Sequence, residues 1–377
     1  MRVGILTLPF HTNYGGLLQA FALKNVLCKW GHDVYFITIS QEIHLPWNKL
    51  FIRYLFRFCK KYILRRKKVD IFWEKHHNEY INEQQIYAKY TNQFVNKYLP
   101  SLFYQSFGDI KETDFDAIIV GSDQIWRKKY VPVIETSFLN FTKGWNIRRI
   151  SYAPSFGTDN WEYSDTETKN CRCLLSNFDN VSVREEEGIN LCRKYLKRNA
   201  EWVLDPSFLL YKDIYIDKLV LKKIPKSKGN LLCYIIDMDE DKQEVINIIA
   251  KEKGLIPFTV NSRAEDTSYL SYSIEEKIQP PVEEWLRGFY DADFVVTDSF
   301  HACAFSIIFG KQFLVYGNKE RGLSRFFSLL HLFNLDDRII TSSNNMVLPN
   351  DYNVNLVHEK LSQQQDKSIL FLKSSLH

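Results

Sequence analysis

The stretch Val295–Phe309, VVTDSFHACAFSIIF, carries the pattern on which the fold reading turns. Val295 and Val296 form a β-branched run, Thr297-Asp298-Ser299 is a polar turn, and an apolar run suited to a buried helix follows. Strand, turn and helix are what that order predicts. His301 falls in the first turn of this helix, where unpaired backbone N–H groups and the positive dipole end favour an anion. An ionisable imidazole beside such a pocket is a chemical hint, although a capping or packing histidine leaves the same local signature.

The same unit recurs along the chain. Val3 to Leu8 is a compact apolar run, and Gly15-Gly16 opens a helical pattern in LLQAFALKNVLCKW before a second strand at Val34 to Ile37. Such a start opens a doubly wound sheet, whose ligands bind at the carboxyl ends of the strands. His11, Thr12, Asn13, Tyr14, Gly15 and Gly16 are therefore placed to line a cleft, or simply to make a tight turn. With no GxGxxG, a dinucleotide is not indicated. Buried-strand signals return at Phe115 to Val120, followed by Gly121-Ser122-Asp123, and at Ile150 to Ala153, Asn180 to Val183 and Trp202 to Leu204. Arg184 ends the strand before an acidic run. Its planar fork suits a carboxylate or phosphate in the cleft, and a salt bridge to a glutamate of that run is the competing explanation.

Residues 1–210 read as one Rossmann-like domain. The lysine-rich residues 211–230 read as a linker, 231–350 as a second Rossmann-like domain and 351–377 as a helical tail. A length of 377 residues suits two such domains, and two facing α/β units create one deep cleft. The hydrophobic fraction of 45% and charged fraction of 25% indicate packed cores. A net charge of +4 is too small at this size to indicate a nucleic-acid binder. The seven cysteines, at 28, 59, 171, 173, 192, 233 and 303, have no CxxC spacing and fit reduced cytosolic thiols better than a disulfide framework or zinc site. The N-terminus reads as a first strand and not as a signal peptide, and no apolar stretch is long enough to span a bilayer.

One segment departs from this composition. Between Pro46 and Val69 lie Lys49, Arg53, Arg57, Lys60, Lys61, Arg65, Arg66, Lys67 and Lys68, with no acidic residue. Phe51, Leu55, Phe58 and Tyr62 share one face at helical spacing. Such a helix can lie on an anionic membrane surface, or dock on its own domain with a solvated basic face.

Taken in order, GILTLPFHTNYGGLLQAFAL from Gly4, IIVGSDQIW, ISYAPSFG, VSVREEEG, VLDPSFLL and VVTDSFHACAFSIIFGKQFLVY resemble the polysaccharide pyruvyl transferase family from Gly4 to about Leu330. The resemblance implies two Rossmann-like domains arranged as in GT-B enzymes, phosphoenolpyruvate as donor, and a sugar of a surface polysaccharide or capsule as acceptor. It makes Arg184 a donor-binding candidate and puts His301 on the histidine of the family's Arg-x-His motif. Ser299 stands where many members carry that arginine, so either another cation such as Arg321 or Arg325 holds the anion, or the donor pocket differs. Within this frame His301 is a candidate general acid or base. Gly15, Gly16, Ser122 and Ser299 are candidate anion or sugar contacts. Asp123 and Asp298 can orient an acceptor hydroxyl or the imidazole, or serve as helix caps. No cofactor or metal is expected. A peripheral position at the inner membrane face, on a lipid-linked saccharide, is the expectation for the basic segment. A nucleotide-sugar glycosyltransferase and a non-catalytic polysaccharide-assembly protein are the alternatives.

Overall fold

A computed structural model describes residues 1–40, 46–66, 69–219, 221–261, 273, 275–317, 323–344 and 346–377. The first domain contains β1 (Arg2–Leu6), α1 (Tyr14–Lys29), β2 (Asp33–Ile39), α2 (Trp47–Tyr62), α3 (Trp73–Tyr87), α4 (Lys89–Tyr98) and β3 (Ser101–Tyr104). It continues through β4 (Ala117–Asp123), β5 (Arg148–Pro154), α5 (Asp165–Leu175), β6 (Asn180–Val183), α6 (Glu186–Leu191) and β7 (Glu201–Trp202). After α7 (Lys212–Lys218) the second domain contains β8 (Leu231–Tyr234), α8 (Glu240–Lys253), β9 (Pro257–Phe258), α9 (Val282–Asp291), β10 (Phe294–Thr297) and α10 (Phe300–Phe309). It ends with β11 (Gln312–Tyr316), α11 (Ser324–Leu332), β12 (Ile339–Ile340) and α12 (Val354–Leu376).

The first sheet has the order β3-β2-β1-β4-β5-β6-β7 and the second β12-β11-β10-β8-β9. Every strand pairing is parallel. Parallel strands covered on both faces need continuous apolar runs, and β4, β8 and β10 are buried at every position. The fold is thus α/β, with two Rossmann-like doubly wound domains. Each sheet reverses direction once, between β1 and β4 in the first and between β8 and β10 in the second. These switch points are where loops part and ligands enter.

Within the segment read as a linker, Lys212–Lys218 forms α7 and packs on the core. Tyr215 of α7 is fully buried, packs edge-on to Phe305 and donates to the Ser207 carbonyl at 2.8 Å. The lysines that suggest a linker lie beside apolar residues at helical spacing, and those residues dock on α10. The final helix also returns to the first domain. The Ser368 hydroxyl accepts from the Leu204 N–H at 3.0 Å, and Phe371 lies 6.3 Å from Tyr152. One apolar core therefore runs from α1 through the turn at Pro206–Leu209 into α9, α10 and α12. Few contacts would hold the two domains in register if each had a closed core of its own; here the cleft is set by a continuous one.

Candidate active site

The first switch point supplies one wall. The loop after β1 ends at Asn13, which caps α1 by accepting from the Gly16 N–H at 3.2 Å. Its amide then donates to Oδ2 of Asp123 at 3.3 Å, linking the β1 loop to the end of β4. Asp123 and Ala153, at the ends of neighbouring strands, have φ of 60° and 52°. The left-handed region costs a non-glycine residue energy and is occupied where surroundings over-determine it, commonly at functional sites. A small cleft of about 240 Å³ opens here, lined by residues including Thr7, Pro9, His11, Gly16 and Asp123. Burial pulls the His11 imidazole below its ordinary value, with the Gln84 side chain of α3 opposing.

The adjacent strand ends converge on a buried ionic cluster. Arg184 follows β6, its side chain only 1% exposed, and donates from Nη1 to Asp205 Oδ2 at 3.1 Å and from Nη2 to Asp123 Oδ1 at 3.5 Å. Its Nε is 3.8 Å from Glu185 Oε2. The Ser122 hydroxyl lies 3.2 Å from Asp205 Oδ2 and 3.1 Å from the Ala153 carbonyl oxygen. Asp205 uses its other oxygen to accept the Ser207 N–H at 2.9 Å. From the second domain, His301 brings Nε2 to 3.7 Å from Asp205 Oδ2, within ion-pair reach but longer than a hydrogen bond.

Glycine makes this last approach possible. A Cβ on Gly15 would sit 2.1 Å from His301 Cγ and 2.2 Å from its Nδ1, so the start of α1 touches the imidazole directly. Beneath the histidine, the Arg184 guanidinium lies 4.4 Å from the centroid of the Phe300 ring, and that of Arg325 lies 5.8 Å from it. Arg184, Arg325, Phe300, Trp202 and Leu329 are among the residues lining a second hollow of about 260 Å³. Two cations and the Asp205 carboxylate meet apolar walls there.

The charges hold one another ionised. Burial by itself would raise the Asp205 carboxyl, yet His301, Arg184 and the Ser207 N–H hold it well below the usual carboxylate range. Burial would likewise lower Arg184, and the carboxylates of Asp123, Asp205 and Glu185 raise it instead. Glu185 goes the other way: burial lifts it despite Arg184 and the hydrogen bond from Ser155. Burial, reinforced by the like charge of Arg184, brings Arg325 down to about 10.

Of the residues expected at the site, Asn13, Gly15, Gly16, Ser122, Asp123, Arg184, Arg325 and His301 gather around these two hollows. Tyr14 does not face the cleft. Its hydroxyl donates to the Pro280 carbonyl at 2.7 Å and its ring stacks on Trp285 at 5.6 Å, which ties α1 to the second domain. Asp298 is also turned away, accepting the Ile236 and Asp237 N–H groups at 2.7 and 3.2 Å and pairing with Lys242 at 3.1 Å. It closes the second switch point from inside. Ser299 occupies the N-cap position of α10 without a side-chain capping bond. Arg321 lies outside the described residues.

Two participants were not anticipated. Asp205 opens the Asp205-Pro206-Ser207 run that ends the strand Trp202 to Leu204 in the sequence; it caps the turn there with one oxygen while the other joins the ionic cluster. Its place at a strand end in VLDPSFLL was the available signal. Glu185 was visible as Arg184's competing partner; its burial was not. Among the described residues, no group of three or more His, Cys, Asp or Glu side chains is arranged to hold a metal ion.

Several solved structures resemble this chain. UDP-GlcNAc 2-epimerase from Neisseria meningitidis, bound to UDP-GlcNAc, is 8% identical over 100% of this chain and 94% of that one, with a TM-score of 0.48. UDP-GlcNAc 2-epimerase from Methanocaldococcus jannaschii is 12% identical over 96% and 92%, with a TM-score of 0.47. MurG from Acinetobacter baumannii is 8% identical over 97% and 94%, with a TM-score of 0.42. No curated protein matches the sequence. The family model described as polysaccharide pyruvyl transferase matches residues 13–320 and takes in Asp123, Arg184, Asp205 and His301. The chain belongs to the polysaccharide pyruvyl transferase family.

Proposed function

We propose that this protein moves the pyruvate unit of phosphoenolpyruvate onto two hydroxyls of a sugar, forming a pyruvate ketal during surface polysaccharide synthesis. The observation that carries the reading is the meeting of His301 with the Asp205–Arg184–Asp123 cluster beside a hollow that also holds Arg325. Phosphoenolpyruvate carries a carboxylate and a phosphate, and two arginines set around one aromatic ring offer a cation to each.

Ketal formation needs a proton delivered to the methylene carbon of the enol and attack of one sugar hydroxyl on the cationic carbon that results. Loss of phosphate and closure by the second hydroxyl complete it. Both hydroxyl protons leave; one balances the proton gained by the methyl group and the other departs with phosphate. His301 is the group that gives and takes these protons, and Asp205 orients it and stabilises its cationic form. Asp123, held by Asn13 and Arg184, faces the small cleft where an acceptor hydroxyl would lie. The arginines offset charge building on the phosphate.

The second domain speaks against a nucleotide sugar as donor. At its switch point the Ile236 and Asp237 N–H groups, which could cradle a diphosphate, are taken by Asp298, and Lys242 is held beside them. Incubation with phosphoenolpyruvate and galactose- or mannose-type acceptors should release phosphate together with an acid-labile ketal identified by mass. Absence of product across the acceptors, with thermal protection by a nucleotide sugar instead, would overturn the proposal.

A further inference from the structure

The helix α2 is mounted in the reverse of the usual sense. A surface helix normally buries its apolar stripe and solvates its charges. Here Arg53 Nη1 lies 3.3 Å from Oε1 of Glu74 in α3, Arg57 bonds the same carboxylate, and Glu74 is itself only 2% exposed. Tyr54 meets Phe72 edge-on at 5.1 Å on that inner side. The outward stripe is apolar: Trp47, Phe51, Leu55, Phe58 and Tyr62 are 77%, 52%, 54%, 49% and 59% exposed, and no residue of α2 is buried. Ile52, Phe56, Ile63 and Leu64 widen the patch.

We infer that this face docks on an anionic lipid bilayer. Lys49, Lys60, Lys61, Arg65 and Arg66 surround the apolar stripe, and positions 46–66 contain no acidic residue. Lys60 Nζ sits 4.4 Å from the Phe56 ring centroid, so its stem covers apolar surface while its charge stays at the border, as lysines do at lipid interfaces. Aromatic residues stand at both ends of the stripe, where rings with polar tips suit the headgroup level. A second copy of the chain is the poorer occupant, because apposing two such faces brings like charges together without an acidic residue of the helix to answer them. No helix among the described residues is long and apolar enough to cross a membrane, so attachment through α2 is interfacial.

This docking is independent of the proposed reaction. If that reaction holds, α3, which anchors α2 through Glu74, also brings Gln84 to His11 at the small cleft, so an acceptor carried on a lipid would be presented on that side. The test uses the full chain without donor or acceptor and reads co-sedimentation with two vesicle types. One is phosphatidylcholine alone; the other also contains about a third phosphatidylglycerol. The wild type should sediment with the anionic vesicles only, with affinity falling about tenfold or more between roughly 0.1 and 0.5 M salt. The triple variant Phe51→Ser, Leu55→Ser, Phe58→Ser should bind at least about tenfold more weakly. So should Lys49→Gln, Lys60→Gln, Arg65→Gln, Arg66→Gln, and both should keep the wild-type circular dichroism and melting temperature. Wild type left in the supernatant at low salt, or a triple variant that sediments as well as wild type, would overturn the inference. So would light scattering that shows a dimer abolished by the triple substitution, since the patch would then be covered by a second copy.

Discussion

Replacing Asp205 by asparagine tests the ionic cluster and the role of His301 together. The side chain is fully buried, accepts from Arg184 at 3.1 Å and from the Ser207 N–H at 2.9 Å, and lies 3.7 Å from His301 Nε2. Removing one partner of a buried ion pair costs about 3–5 kcal/mol when the other is left uncompensated. Arg184 is not left so, because Asp123 and Glu185 remain 3.5 and 3.8 Å away. The amide can also keep the Ser207 bond, so the loss should come to about 2–3 kcal/mol. Urea unfolding followed by tryptophan fluorescence would read this from the midpoint at unchanged slope. The pH dependence has a defined sign. The folded-state carboxyl is depressed relative to its ordinary value of about 3.9, so its contribution is complete above the unfolded value and is lost as pH falls through the folded one. Wild type and variant should therefore differ most near neutrality and converge below about pH 4. If the proposed reaction holds, losing the carboxylate behind the imidazole should also lower kcat by about a hundredfold or more, with KM for phosphoenolpyruvate changing less. A variant within about 0.5 kcal/mol of wild type would show that Asp205 does not compensate Arg184, and one with unchanged kcat that it does not act through His301.

Other perturbations separate the parts. Gly15→Ala places a methyl about 2 Å from the imidazole, so either α1 or His301 must shift; activity should fall at least tenfold and stability by about 1–3 kcal/mol, read by turnover and urea unfolding. Asp298→Ala strands the Ile236 and Asp237 N–H groups while Lys242 keeps the Asp237 carbonyl and Asp239, and should cost about 2–4 kcal/mol in the same unfolding measurement. Arg325→Met keeps apolar contact with Phe300 while removing the second cation, so KM for phosphoenolpyruvate should rise about tenfold or more in steady-state assays. His301→Gln should abolish ketal formation with the circular dichroism spectrum unchanged.

The parallel sheets were legible because buried parallel strands need uninterrupted apolar runs, and IIV in β4 or VV in β10 can scarcely be anything else. Loops at their carboxyl ends followed from connectivity, which is why Arg184 and His301 could be placed near one another. What could not be read was which side each strand-end residue faces. Tyr14 and Gly15 are neighbours on the first turn of α1, yet one braces the domain interface and the other admits the imidazole, a difference decided by helical rotation. Asp298 and Asp205 show the same limit for carboxylates: both precede a helical turn, and both are buried. One meets Lys242 across the β8–β10 switch point, while the other meets Arg184 within its own domain and His301 across the domain interface. The partner that distinguishes them is remote in sequence in each case, so neither propensity nor spacing carries it.

Ser299 is the position where those remote partners matter most for function. Ser299, at the N-cap of α10, brings no charge where the family resemblance leads one to expect an arginine. Arg325, from the first turn of α11, lies over the same Phe300 ring as Arg184, and its lowered value of about 10 reflects burial and the closeness of that second guanidinium. Two like charges held this close stay favourable only with anions near them, and Glu185 partly fills that need in the unliganded protein. If the proposed donor enters the hollow, its carboxylate and phosphate would set negative charge beside both arginines. Arg325 can thereby replace the missing arginine from a different helix, and the double substitution Ser299→Arg, Arg325→Met should recover part of the affinity for phosphoenolpyruvate that Arg325→Met loses. A double variant no better than Arg325→Met would mean that the two positions do not serve one anion.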